Sequence, residues 1–112
     1  MVQLLLRLKA QHSRRHETVQ ALRALRFPTQ LTGTCAHTDI CCELDDPDVL
    51  HYYEEWARPE DLIREVHSDR FSRLLALMET AAEPPVLEFR FVSETRGLDY
   101  IAEVRGEPTP AR

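Results

Sequence analysis

Four side chains between positions 52 and 67 belong to types that move protons or hold developing charge: Tyr52, Glu54, Trp56 and His67. The first three are spaced by two, so on a strand they share one face. A carboxyl group buried beside Tyr and Trp loses solvation. Unless a donor pairs with it, its neutral form is favoured and its pKa rises toward the range useful to a base. The plain alternative is that Glu54 is solvated at the strand end or paired with an Arg. His67 is the best general-base candidate, because unperturbed imidazole titrates near neutrality and can take a phenolic proton or bind the resulting oxyanion. Its plain alternative is a junction histidine whose ring satisfies a helix-end carbonyl.

A second group raises the question of metal. Cys35, His37, Asp39 and Cys41 alternate along one strand, with His51 on the next. Successive same-face residues lie about 7 Å apart, so only neighbours could share an ion at zinc–ligand distances. No Cys-x-x-Cys spacing occurs, and no metal is expected. The three cysteines, Cys35, Cys41 and Cys42, are an odd number and no disulfide framework. Adjacent Cys41 and Cys42 point to opposite faces. His12 and His16, beside Arg14 and Arg15, read as a solvated surface.

The elements that must position these residues follow from periodicity. Residues 2–9 alternate with Val2, Leu4, Leu6 and Leu8 on one face, as a half-buried strand does. Ser13 can cap a helix to about Arg26 with Val19, Leu22 and Leu25 inward, stopped by Phe27-Pro28. Residues 34–44 form a second strand with Ala36, Thr38, Ile40, Cys42 and Leu44 on its apolar face. The Asp45-Asp46-Pro47-Asp48 turn makes a hairpin with a third strand, 49–56. Pro59 suits a first helical position, with Glu60 and Asp61 at the favourable end of the helix dipole. This helix buries Leu62, Ile63 and Val66. Ser68 caps a second helix burying Phe71, Leu74, Leu75 and Met78. Glu83-Pro84-Pro85 ends it. Strand four is 86–92, with Leu87, Phe89 and Phe91 inward, and residues 98–105 are read as a short fifth strand. One domain over 1–105 is expected, with a frayed tail from Gly106 to Arg112.

The order β-α-β-β-α-β is the ferredoxin-like arrangement, an α+β fold with an antiparallel sheet and helices on one face. Its helix-free face carries Leu5, Arg7, His51, Tyr53, Glu88 and Arg90, a mixture suited to a partner. Between helices and sheet a pocket is expected, lined by Leu4, Leu6, Tyr52, Trp56, Phe71, Leu75, Phe89 and Phe91 and fitted to a flat aromatic ligand. The bland alternative is that these residues fill the core.

Several pieces of this pattern together resemble the antibiotic biosynthesis monooxygenase domain family. They are Glu54-Glu55-Trp56, the acidic helix start at Pro59-Glu60-Asp61, and His67-Ser68-x-x-Phe71. Gly33-Thr34-Cys35 and Phe89-Arg90-Phe91 add weaker matches. The resemblance implies a dimeric α+β barrel in which two helix-free faces join, and a cofactor-independent oxygenase of a small quinol, phenol or polyketide-like aromatic. It places Trp56 against the substrate, and under the oxygenase reading Trp56 orients the ring, Tyr52 donates a hydrogen bond and His67 is base or oxyanion partner. The chain departs from the family's antibiotic-tailoring members, which use an Asn, because it contains none. It also departs from the heme-degrading branch, having Leu6 near that branch's Asn and Leu75 near its heme-ligating His. Heme is therefore not expected, and the oxygenase that the resemblance implies works without flavin or metal. A non-enzymatic dimeric barrel that binds or senses a small aromatic is the competing class.

Composition bounds the rest. At 112 residues with net charge −5 and no basic run, the chain repels rather than recruits nucleic acid. No apolar stretch reaches membrane-spanning length. The start, Met-Val-Gln-Leu-Leu-Leu-Arg-Leu-Lys, has too short an apolar run for a signal peptide, so a cytoplasmic protein is expected. The only lysine is Lys9, which leaves no interior Schiff-base candidate.

Overall fold

The structure, a computed structural model, describes residues 1–32 and 35–106. Its elements are β1 (Val2–Lys9), a 3₁₀ turn (His12–Arg14), α1 (Arg15–Thr32), β2 (Cys35–Cys42), β3 (Val49–Trp56), α2 (Pro59–Val66), α3 (Asp69–Met78), β4 (Val86–Phe91) and α4 (Leu98–Arg105). The four strands form one antiparallel sheet in the order β2-β3-β1-β4. β1 and β3 are thus central, as the split βαβ topology requires.

Alternation does most of the work. Val2, Leu4, Leu6 and Leu8 are buried on β1, and their β3 partners Trp56, Glu54, Tyr52 and Leu50 are buried opposite them. Leu22 and Leu25 of α1 and Phe71 and Leu74 of α3 close the core over this face. Val2, Trp56 and Leu62 of α2 make a smaller adjoining cluster. Fully burying each such Leu, Val or Phe contributes about 1.5–3 kcal/mol, so these inner strands hold most of the fold's stability. Leu5 pairs with Tyr53 and Glu88, and Arg7 with His51, so these residues share the opposite face.

Five expectations are corrected. Ser13 lies inside the 3₁₀ turn, and α1 starts at Arg15 and continues through Phe27-Pro28 to Thr32. An interior proline forfeits one intrahelical bond and crowds the carbonyl four residues back, so it disfavours a helix without forbidding one. On β2 the pairing shifts between Cys35 and His37, opposite Trp56 and Glu55, which leaves Ala36 as a bulge and exposed. The bulge turns Cys35 toward Trp56, so Cys35 does not share a face with His37, Asp39 and Cys41. β2 ends at Cys42, which is exposed, and Leu44 beyond it is 99% exposed rather than inward. Ile63, Val66 and Leu75 are 58%, 40% and 43% exposed rather than buried, because α2 and α3 each bury only a narrow stripe.

Residues 98–105 are helix, not strand. Leu98, Ile101, Ala102 and Arg105 fall at helical spacing, Asp99 sits in the first turn, and Gly106 closes the helix in the left-handed region at φ 70°. Three expected features fall outside the described residues: the start of strand two at Thr34, the Gly33-Thr34 part of the family pattern, and the tail beyond Gly106.

Candidate functional site

Two structures of opposite character lie on the helix-covered face. The first is a polar cluster inside the core. Glu54 is fully buried, and its carboxylate accepts from the Tyr52 hydroxyl at 2.5 Å, from Trp56 Nε1 at 3.3 Å and from Arg70 Nη2 at 2.7 Å. Arg70 reaches in from α3. Its Nη1 donates to the Leu25 carbonyl at 2.9 Å and its Nε to Glu65 of α2. No buried side-chain N or O among the described residues lacks a partner. A buried charge is tolerated only when paired and hydrogen-bonded in this way. Burial, then the neighbouring Glu54 charge, push the Tyr52 phenol well above its ordinary range, so it stays a donor. Burial works against the Arg70 guanidinium, but Glu54 outweighs it and holds the group protonated.

The second is an open apolar groove of about 440 Å³ between α2, α3 and β4, lined by Leu62, Ile63, Val66, His67, Phe71, Leu87, Phe89 and Phe91. It exists because β4 is an edge strand that the helices do not reach across. Phe89 and Phe91 point to the helix side, opposite Leu4 and Val2, yet are 38% and 72% exposed. His67 is the groove's titratable side chain. It stands in the two-residue break between α2 and α3, with its Nδ1 2.8 Å from the Ile63 carbonyl. A carbonyl can only accept, so Nδ1 carries the proton of neutral imidazole and Nε2 keeps its lone pair.

The sequence-derived candidates therefore divide. Phe71, Phe89 and Phe91 line the groove with His67. Tyr52, Glu54 and Trp56 form the buried cluster, and Leu4 and Leu6 lie fully buried in the core. Leu75, 43% exposed on α3, belongs to neither. Trp56 is at one remove from the groove, sharing a buried cluster with Val2 and with Leu62, which lines the groove. Arg70 and Glu65 were missed. A signal existed: Arg70 precedes Phe71 and lies four residues before Leu74, on the inward stripe of α3.

Among the described residues no group of three or more His, Cys, Asp or Glu could hold a metal ion. The half-buried Cys35 thiol donates to the His37 and Glu55 carbonyls at 3.2 and 3.4 Å, and burial, then the Glu54 charge, push its pKa up. It is a protonated packing group. No helix among the described residues is long and apolar enough to cross a membrane.

No family model and no curated protein matches the chain. Solved structures do. A crystal structure of an antibiotic biosynthesis monooxygenase superposes with a TM-score of 0.72 at 17% identity, over 84% of this chain and all of that one. A protein from Deinococcus radiodurans, provisionally named an antibiotic biosynthesis monooxygenase, gives 0.76 at 15% identity over 87% of this chain and 97% of its own. One from Nitrosomonas europaea, named in the same provisional way, gives 0.72 at 15% over 84% and 100%. At these identities the likeness shows the ferredoxin-like fold of those domains.

Proposed function

We propose that this chain is a cofactor-independent monooxygenase of a small aromatic (a quinol, phenol or polyketide-like compound) held in the groove of α2, α3 and β4. The observation that carries the reading is His67 at the border of an apolar groove, with its Nδ1 engaged by the Ile63 carbonyl. The imidazole takes a proton from a hydroxyl or an activated CH of the substrate. The low-polarity walls then leave an electron-rich anion for oxygen to attack. With an anthrone-type substrate the ring CH₂ becomes a carbonyl, one oxygen atom is inserted and the other leaves as water. The substrate supplies all the electrons. Tyr52, Glu54 and Trp56 act from behind, Trp56 by fixing Leu62 in the groove wall. The three cysteines, free in the structure, suit a reducing cytoplasm.

Two copies join through the face that carries Leu5, Arg7, His51, Tyr53, Glu88 and Arg90. A 220 Å³ hollow there, bordered by Leu5, Arg7, His51, Val86, Glu88 and Arg90, supports this, since it offers an apolar floor with both charge signs around it.

A non-enzymatic aromatic binder is favoured by one observation: the Tyr52 hydroxyl and Glu54 carboxylate already satisfy each other. Oxygen uptake with menadiol and anthrone separates the two. Under the oxygenase reading, His67→Ala lowers turnover on the order of 10²-fold or more while ligand affinity persists. Tight binding of these compounds with no oxygen uptake makes the protein a binder. Uptake unchanged in both His67→Ala and Trp56→Phe removes the site assignment.

A further inference from the structure

Two charged side chains that the proposed chemistry leaves unused converge on the turn that carries His67. Within that turn the bonds are local. The His67 N–H donates to the Arg64 carbonyl at 3.2 Å, and the Ser68 N–H and hydroxyl donate to the Glu65 carbonyl at 2.9 and 2.6 Å. They shape the turn without tying it to the sheet. Leu62 and Phe71 pack the flanking helices on the sheet, and the polar tie is Arg70, whose Nε donates to the Glu65 carboxylate on the α2 side of the break. Its Nη2 donates 2.7 Å to Glu54 on the central strand β3, and its Nη1 donates to the α1 backbone at Leu25. The side chain is 11% exposed and that of Glu65 16%, so these charge-assisted bonds act largely out of water, where they are stronger and geometrically stricter.

We propose that Arg70 is a positioning residue: by joining Glu65 to Glu54 it fixes the α2–α3 turn over the sheet and thereby holds the His67 imidazole at the groove. The inference rests on the reading of His67 as the group that meets the ligand. Neutralising the buried Glu54 requires only a cation. The second carboxylate, from the far side of the break, is what a core ion pair does not need and a clamp does. The planar fork of Arg addresses three partners from three nitrogens, whereas Lys offers a single point.

The clamp is tested on the full chain with Glu65→Gln, which leaves the Glu54–Arg70 pair intact and so spares the core, and with Arg70→Lys. The probe is 1-naphthol, followed through the His67 ring signals in ¹H–¹⁵N NMR, beside oxygen uptake with menadiol. In the unsubstituted protein the His67 signals move as naphthol saturates the groove. In both variants naphthol should still bind, while that response shrinks. Turnover should fall between tenfold and about a hundredfold, as expected for misplacement by up to about 1 Å, with KM little changed. A His67 response and turnover equal to those of the unsubstituted protein in either variant overturn the positioning role alone. No His67 response in the unsubstituted protein overturns the reading of the groove itself.

Discussion

The cluster around Glu54 and the groove beside β4 lie on one sheet face under the same two helices, yet they solve opposite problems. At β3 the helices are close, and the Glu54 carboxylate is satisfied from two elements, by Tyr52 and Trp56 of its own strand and by Arg70 from α3. At β4 the helices fall short, and aromatic side chains are left partly in water with a single imidazole among them. The lesson is that chemical reactivity and chemical richness part company here. The residues with the most evocative chemistry are locked to one another, and the unsaturated site is the plain apolar one.

The contrast can be broken most severely at its polar end. Arg70→Ala leaves Glu54 buried without its cation and should cost about 3–5 kcal/mol in urea-induced unfolding. A loss below 1 kcal/mol would mean that water reaches Glu54 and the cluster is not closed. At the apolar end the expected effects reverse in kind. Phe89→Ala should change stability by less than about 1 kcal/mol, since the ring is already partly solvated. It should nevertheless weaken 1-naphthol binding several-fold, the size of one lost aromatic contact. Equal losses of stability and binding would show that the groove is core after all.

Leu5→Asp sharpens the division from the opposite sheet face. It should convert the proposed dimer to monomer in sedimentation while leaving naphthol binding in place. Loss of binding would show that the groove needs the second copy.

The smallest effect concerns Tyr53, also on that face. Its hydroxyl donates to Glu55 at 2.7 Å, and burial, then Glu55, push its pKa up to about 12. Because the folded value lies above the unfolded one, near 10, the stabilisation is complete below pH 10 and is lost as pH rises toward 12. An absorbance titration should show one tyrosine ionising near 12, absent in Tyr53→Phe. Ionisation near 10 would mean the hydroxyl is free.

Much of this was legible before any coordinates. Period-two alternation in Val2–Leu8 and Leu50–Trp56 specifies two half-buried strands, and the acidic start at Pro59 and the Ser68 cap specify two helices. What was hidden depends on partners rather than on the local chain. The bulge at Ala36 is a property of the β2–β3 pairing, invisible to a reading of β2 alone. The exposure of Phe89 and Phe91 depends on how far α2 and α3 spread over the sheet, which periodicity does not encode. Residues 98–105 are short and apolar enough to suit strand or helix, and the left-handed conformation of Gly106 that closes the helix cannot be told from a tail by residue type alone. The Glu54–Arg70 pair lay between these cases. The spacing of Tyr52, Glu54 and Trp56 points to a buried carboxylate in need of a donor, but which arginine supplies it depends on how α3 sits on β3.

The edge position of β4 has a consequence for how such a protein can change over time. Ile63, Val66, Phe89 and Phe91 shape the groove while standing at least a third in solvent, so the folding equilibrium depends little on them. Substitutions at these positions should therefore reshape the groove without compensating changes in the core. Leu4, Leu74, Tyr52 and Glu54 have no such freedom. The boundary between β1 and β4 separates side chains on which the fold depends from side chains that can be exchanged at little cost to it.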